Sequence, residues 1–248
     1  MTMYIRSVAT MAAVAAVLTA CRGESQTDRP VTTDGPGTAA TTSASGDSAD
    51  RAGMALVRVV NAASASDNLV IRADEAHALA PAAYKTVTPY QMIDKNWVTF
   101  QIRGTPGSNY EPLETNRELL TDGHRYSVVV LRDDKGQAFR TRVIRDDISS
   151  DMTTAHVRVI HAAAGIDEVN VIAKGAEKLF DGVNFTSEAG FKDVAPWTGT
   201  LEVRSEDGNR LLATIPNVEL AAGKSVTIVL TRDAQGKLES FRFEDSPS

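Results

Sequence analysis

From Met54 onward the chain states one pattern twice, about 100 residues apart, and such a duplication constrains the architecture more than any single motif can. The first copy opens Ala55-Leu56-Val57-Arg58-Val59-Val60-Asn61-Ala62-Ala63, the second Ala155-His156-Val157-Arg158-Val159-Ile160-His161-Ala162-Ala163. Gly123, Arg132, Asp133 and Gly136 return as Gly223, Arg232, Asp233 and Gly236, an offset of 100. Between these blocks the offset is 101, which matches Tyr84 to Phe185, Tyr90 to Phe191, Phe100 to Leu201 and Arg103 to Arg204. One residue inserted early in the second copy and one later in the first account for both values. Trp97 then stands opposite Thr198, not opposite Trp197. The sequence thus predicts two domains, 54–147 and 155–244, joined by 148–154 and followed by a tail, 245–248. Each is expected to fold by itself, since a chain near 100 residues buries about two-thirds of its surface.

Within each copy the apolar period is two. Phe100 and Ile102 alternate with Thr99, Gln101 and Arg103, as Leu201 and Val203 do with Thr200, Glu202 and Arg204. Val128 and Val130, matched by Ile228 and Leu230, belong to a second β-branched run. Turn signals fall between the runs: Asp133-Asp134-Lys135-Gly136, Glu206-Asp207-Gly208-Asn209 and Ala234-Gln235-Gly236. About six or seven short strands per copy, with no helical stripe, predict an all-β chain of two tandem antiparallel β-sandwiches. Glu75 to Ala83 is the one stretch that admits a helical turn, and Pro81 limits it.

The openings Val-Arg-Val-Val-Asn-Ala and Val-Arg-Val-Ile-His-Ala, the mid-copy aromatic pair and the Gly-Lys-Ser-Val-Thr-Ile-Val-Leu strand resemble the bacterial domain-of-unknown-function family 4397. The resemblance covers nearly all of residues 55 to 244. It implies export, tandem copies and immunoglobulin-like or transthyretin-like sandwiches, and it brings no known chemistry. Both copies depart from the family's Ser-Pro-Asp turn after the first strand, having Ala63-Ser64-Ala65 and Ala163-Ala164-Gly165 instead. Only the second keeps the family's histidine, as His161.

Ahead of the repeats, Met1 to Arg6 is a short polar start with one positive charge, and an apolar stretch runs from Val8 to Leu18. This is the pattern of a signal peptide, over residues 1–20, and the stretch is shorter than the roughly 20 residues that cross a bilayer. Leu18-Thr19-Ala20-Cys21 resembles the lipobox of bacterial lipoproteins. That implies diacylglycerol on the Cys21 sulfur, cleavage before Cys21 and a fatty acyl group, palmitate or similar, on the new amino terminus. Two or three chains would hold the protein stably in a membrane. Arg22, rather than Asp, follows Cys21, which by the Gram-negative sorting rule favours the outer membrane. Residues 22–53 hold Pro30 and Pro36 but no aromatic residue and no Leu, the composition of a flexible tether with a reach of about 30 Å.

The candidate chemistry is thin. A net charge of -6 opposes a phosphate backbone, so no nucleic-acid partner is expected. Cys21 is the only cysteine, which rules out an intramolecular disulfide. His161 and Asp167 form a possible proton-transfer pair, against the plainer reading in which the imidazole bonds turn backbone, as Asn61 can at the matching place. His77, His124 and His156 are scattered, no metal-ligand spacing occurs, and no cofactor is expected. Gly223-Lys224-Ser225 lacks the upstream glycine of a phosphate loop, and Asp133-Asp134 and Asp146-Asp147 read as solvated turns. Arg140, Arg142 and Arg145 make the one basic concentration, suited either to an anionic glycan or lipid head group or to blunting an edge strand.

These features point to an exported, lipid-anchored, non-enzymatic binding or structural module of the cell envelope, with a membrane as one partner and an envelope protein or glycan as another. The alternative is an envelope enzyme, or a carbohydrate-binding accessory subunit, with a site built from loops. Because only eight residues, Asp147 to Thr154, join the copies, any binding surface is expected to span both.

Overall fold

Strand β1 (Ala55–Asn61) is buried on both faces. Val57 and Val59 enter the interior of the first sandwich, while Val60, next in the strand and on its other face, belongs to a second apolar cluster shared with the other copy. That is why its sequence runs nearly unbroken in apolar residues, as strands covered on two sides do. The computed structural model describes residues 54–64, 68–75, 77–94, 96–104, 112–175 and 178–245. The expected signal peptide, Cys21, the tether and residues 246–248 lie outside them.

The first repeat continues with β2 (Val70–Ala73), β3 (His77–Ala78), β4 (Gln91–Ile93), β5 (Trp97–Val98), β6 (Phe100–Arg103), β7 (Leu113–Glu114), β8 (Glu118–Leu119), β9 (Arg125–Arg132) and β10 (Phe139–Arg145). The second holds β11 (Ala155–His161), β12 (Glu168–Ala173), β13 (Lys178–Asn184), β14 (Glu188–Val194), β15 (Trp197–Ser205), β16 (Leu211–Leu220), β17 (Ser225–Arg232) and β18 (Leu238–Asp245). No helix occurs among the described residues, and Glu75 to Ala83 supplies β3 instead of a helical turn. The expected tail gives up Asp245 to the last strand.

Each repeat is a sandwich of two four-stranded sheets. In the first, the orders are β10-β9-β1-β4 and β3-β2-β6-β7, with β5-β8 as a small extra ladder; in the second they are β14-β11-β17-β18 and β13-β12-β15-β16. The all-β sandwich class is as expected, with one addition. β1 pairs with β9 in parallel, as β11 does with β17, so one sheet of each sandwich is mixed, not purely antiparallel. The interiors are filled by alternate residues: Val57, Ile71, Phe100 and Val128 in one, Val157, Val171, Leu201 and Ile228 in the other.

The two mixed sheets pack against each other. Val60, Val129, Leu131 and Ile144 from the first repeat meet Ile160, Ala162 and Val229 from the second in a buried cluster, with Phe185, Phe241 and Phe243 packed on it. The described residues accordingly fall in one compact unit. Adjacent strands read from the same alternation: Tyr126, Val128 and Val130 of β9 face their own interior, and Val129 and Leu131 face the joint.

The joint also reveals a third offset. Arg132 pairs with Phe139 across the first hairpin and Arg232 with Leu238 across the second, whose turn is one residue shorter. In the last strands the repeats therefore match at an offset of 99, which sets Arg140 against Glu239 and Asp146 against Asp245.

Candidate functional site

The joint is the most chemically loaded part of the described structure. Arg58 and Arg158, at the same place in β1 and β11, project from an apolar strand toward the opposite repeat, and each is held along its length. The Arg58 Nε donates to Ser127 Oγ at 2.8 Å and the Arg158 Nε to Thr227 Oγ1 at 2.7 Å. Their outer nitrogens cross over. Arg58 pairs with Asp245 of the second repeat and lies 3.4 Å from Asp146; Arg158 pairs with Asp146 of the first at 2.5 Å and lies 3.5 Å from Asp245. Both carboxylates have side chains with no solvent exposure. Ser127 donates to Asp146 at 2.7 Å, Thr227 donates to Asp245, and the Tyr90 hydroxyl donates to Asp146 at 2.7 Å. The Arg58 guanidinium stacks between Tyr90 and Phe243 at 4.6 and 4.8 Å, and that of Arg158 over Phe191 at 4.6 Å. Burial, then the Asp146 charge, pushes the Tyr90 hydroxyl far above its usual range.

Two charges of each sign, sealed from water and mutually hydrogen-bonded, satisfy the condition under which a buried ion pair is tolerated. Asp146 is therefore not the solvated turn residue that its sequence suggests; the apolar sheets of both repeats close over it. The signal available in the sequence was the recurrence of an arginine inside the same apolar strand of both copies. No sequence signal marks Asp245 as the partner of Asp146, because Gly136 and Gly236 match at an offset of 100 and mask the 99-residue offset of the last strands.

One flank of the joint is closed by a second polar contact. The Tyr84 hydroxyl lies 2.6 Å from both the Arg232 carbonyl and Glu239, Lys85 pairs with Glu239 at 2.9 Å, and Thr231 Oγ1 donates to the Ala62 carbonyl at 2.7 Å. Burial and Glu239 together push the Tyr84 hydroxyl well up. Phe185 and Thr186 occupy the equivalent corner of the second repeat, where the Thr186 amide donates to the His161 carbonyl as that of Lys85 does to Asn61. They carry neither hydroxyphenyl nor ammonium, so they form no such closure with a described residue on the opposite flank.

Above the joint is a recess of about 280 Å³ built from equivalent places in both repeats: Arg132 and Gly136 from one, Arg232 and Gly236 from the other, with Lys135 and Asp134 at its side. Arg232 also lines a broader groove of about 630 Å³ over the second sandwich, between Glu168, Glu206 and Arg210. The Asp133 and Asp233 carboxylates are committed to their own turns, accepting from the amides of Gln137 and Ala138 and of Gln235 and Lys237. Those backbone bonds help hold the Asp133 carboxyl below its usual range.

Of the residues singled out from sequence, Cys21 lies outside the described residues. His161 is fully buried; its Nδ1 accepts from the Ala163 amide at 3.3 Å, and its ring meets Phe185 edge-on at 5.9 Å. Asn61 does the same work, accepting from the Ala63 amide at 3.0 Å. Asp167 is not among the ring's hydrogen-bond partners, and its carbonyl accepts from the Phe185 amide. Burial presses the imidazole down to about 4, outweighing a contact with the Ile166 backbone that raises it, and the Arg232 charge adds to the lowering. His161 is thus a buried residue at the end of β11, and no hydrogen bond among the described residues joins its ring to Asp167.

Arg140, Arg142 and Arg145 are all exposed on β10, but they do not form one cluster. Arg140 and Arg142 share the face of Ile144, toward the joint, while Arg145 is on the other face of the strand and pairs with Asp147 at 2.7 Å. Gly223-Lys224-Ser225 is a tight turn into β17, with Gly223 at φ 72°. His77 lies 3.5 Å from Asp94, and His156, buried, contacts Asp193 at 2.6 Å. No group of three potential metal ligands occurs among the described residues.

No curated protein matches this chain. Among solved structures, it is similar to a candidate cell adhesion protein from Bacteroides uniformis ATCC 8492, at 9% identity, TM-score 0.25, over 79% of this chain and 100% of that one. A family 26 carbohydrate-binding module from Eubacterium rectale Amy13K, solved with maltoheptaose, matches at 8% identity, TM-score 0.22, over 79% and 98%. A further candidate cell adhesion protein, from Bacteroides fragilis NCTC 9343, matches at 11% identity, TM-score 0.20, over 78% and 98%. The model of the domain of unknown function DUF4397 matches residues 55–172 and 155–248, and with both repeats so covered the chain belongs to the DUF4397 family.

Proposed function

We propose that this protein is a lipid-anchored, non-enzymatic binding module of the bacterial cell envelope, in which the two sandwiches act as one rigid head. The anchor reading rests on the apolar leader that ends in Leu18-Thr19-Ala20-Cys21, followed by 32 residues of tether. The observation that carries the binding reading is the recess at the joint, to which both repeats contribute the same positions, Arg132 with Gly136 and Arg232 with Gly236. A joint between domains is a favoured place for ligands, and a locked joint presents such a surface preformed, without an ordering cost on binding.

The experiment is cross-linking in intact cells, with identification of the captured partner, run on the natural chain and on Cys21→Ala. The natural chain should fractionate with membranes and yield a reproducible envelope partner, and Cys21→Ala should be released or keep its leader. A Cys21→Ala chain that stays membrane-bound with its leader removed would contradict the anchor. Capture that survives unchanged when Arg232→Glu blocks the recess would contradict the site.

A further inference from the structure

We propose that the outer edge of β10 is a docking edge for an extended acidic segment of a partner protein, which adds to the mixed sheet of the first repeat as a fifth strand. This deepens the binding-module reading by naming a partner chemistry and a surface.

β10 is the terminal strand of the order β10-β9-β1-β4, so one of its edges has no strand partner among the described residues. It is seven residues long, enough for several ladder hydrogen bonds. Arg140 and Arg142 stand on one face two residues apart, a spacing of about 6.8 Å that matches alternate side chains of an added strand. Both are exposed, and neither makes a hydrogen bond or ion pair with a described residue. The Arg140 charge helps lower the Asp133 carboxyl, but that carboxylate is already held by two backbone amides of its own turn.

The repeat supplies the independent argument. The equivalent edge strand, β18, carries Glu239 where β10 carries Arg140, and Glu239 is taken up by Tyr84 and Lys85 of the first repeat. Across the pseudo-symmetric joint, Phe185 and Thr186 stand where Tyr84 and Lys85 would, and they present no carboxylate to the arginines. The same device is closed on one side and open, with its charge reversed, on the other. In a chain of net charge -6, two unpaired guanidinium groups on a bare strand edge select an anionic partner. Two cations are too few for a bilayer surface, which is bound by clusters of about four to eight, whereas a strand partner adds backbone bonds to the two ion pairs.

The test uses the full chain and a dye-labelled peptide of alternating Thr and Glu, with fluorescence anisotropy and amide exchange as readouts. The Thr/Glu peptide should bind and slow exchange in Phe139–Arg145. Arg140→Gln/Arg142→Gln should weaken it about tenfold or more, as should replacing Glu by Gln in the peptide. Arg140→Glu/Arg142→Glu should instead bind an alternating Thr/Lys peptide, which separates lost charge from lost folding. Three results would each overturn the proposal: no binding by the natural chain, equal binding by the Gln variant, or binding of phosphatidylglycerol vesicles but not the peptide. Self-association of the Gln variant with peptide affinity unchanged would also do so, and would make the arginines mere guards of the edge. None of these outcomes bears on Cys21 or on the recess at the joint.

Discussion

Single side chains decide how the stability of the second repeat answers to pH, and His161 is the clearest. It is buried and neutral, with its pKa pressed to about 4, while the unfolded chain titrates near 6.5. Between those values the unfolded state holds more protons, so the stability that a neutral His161 provides is lost as pH falls from about 6.5 toward 4, by on the order of 3 kcal/mol. His156 has the opposite sign. The Asp151 carbonyl, then Asp193, raise its pKa, so its contribution is fully present below 6.5 and is lost as pH rises through its folded value. The lowered carboxyls of Asp133, Asp151 and Asp207 matter only as pH falls below about 3.8. His161→Asn, which installs the residue that already works at Asn61, should flatten the urea midpoint between pH 6.5 and 4. A slope equal to that of the natural chain would show that the imidazole is not the group that titrates.

At the scale of elements, the strands were legible where one face is buried and obscure where two are. The alternation of Phe100 with Ile102 and of Leu201 with Val203 announces β6 and β15, and the Gly-containing turns place the hairpins. β1, β9, β11 and β17 read the same way for one face only; what their other face covers depends on the second repeat, and no local window contains it. The parallel pairing of β1 with β9 was likewise invisible, because strands far apart in sequence leave no turn signal between them. Trp97 and Trp197 show the gain from reading offsets with care. Trp97 faces outward beside Leu119 on its short ladder and is about half exposed, whereas Trp197 packs on the interior of the second sandwich. Its ring lies directly over Gly199, where a Cβ would stand 2.3 Å from a ring carbon. Gly199→Ala should displace the indole and cost about 1–3 kcal/mol. In a Trp97→Phe background, the emission of Trp197 should shift to the red; an unchanged spectrum with unchanged stability would contradict that packing.

At the scale of the whole molecule, the two sandwiches form one compact unit, held by an apolar joint and four crossed charges. The expectation of two domains that fold alone rests on each copy's own strand set; Val60, Val129, Ile160 and Val229 lie in a buried cluster that both repeats share. Arg58 is neutralised by Asp245 of the other repeat, and Arg158 by Asp146 just after the last strand of the first, so neither copy contains the whole charge arrangement. The DUF4397 resemblance was readable from the strand openings, while the candidate surfaces were not. The recess is lined by both repeats, and the place of β10 at the edge of its sheet follows from a strand order that no local window contains. Removing one member of a buried charge set leaves its partners uncompensated, at a cost of about 3–5 kcal/mol. The most direct test is urea unfolding followed by Trp fluorescence in two chains, Trp197→Phe, which reports the first repeat through Trp97, and Trp97→Phe, which reports the second through Trp197. The two midpoints should coincide, and Arg58→Met should lower both by the same amount. Separate midpoints, or a shift confined to the first repeat, would show that the sandwiches fold independently and that the joint is not what holds the molecule together.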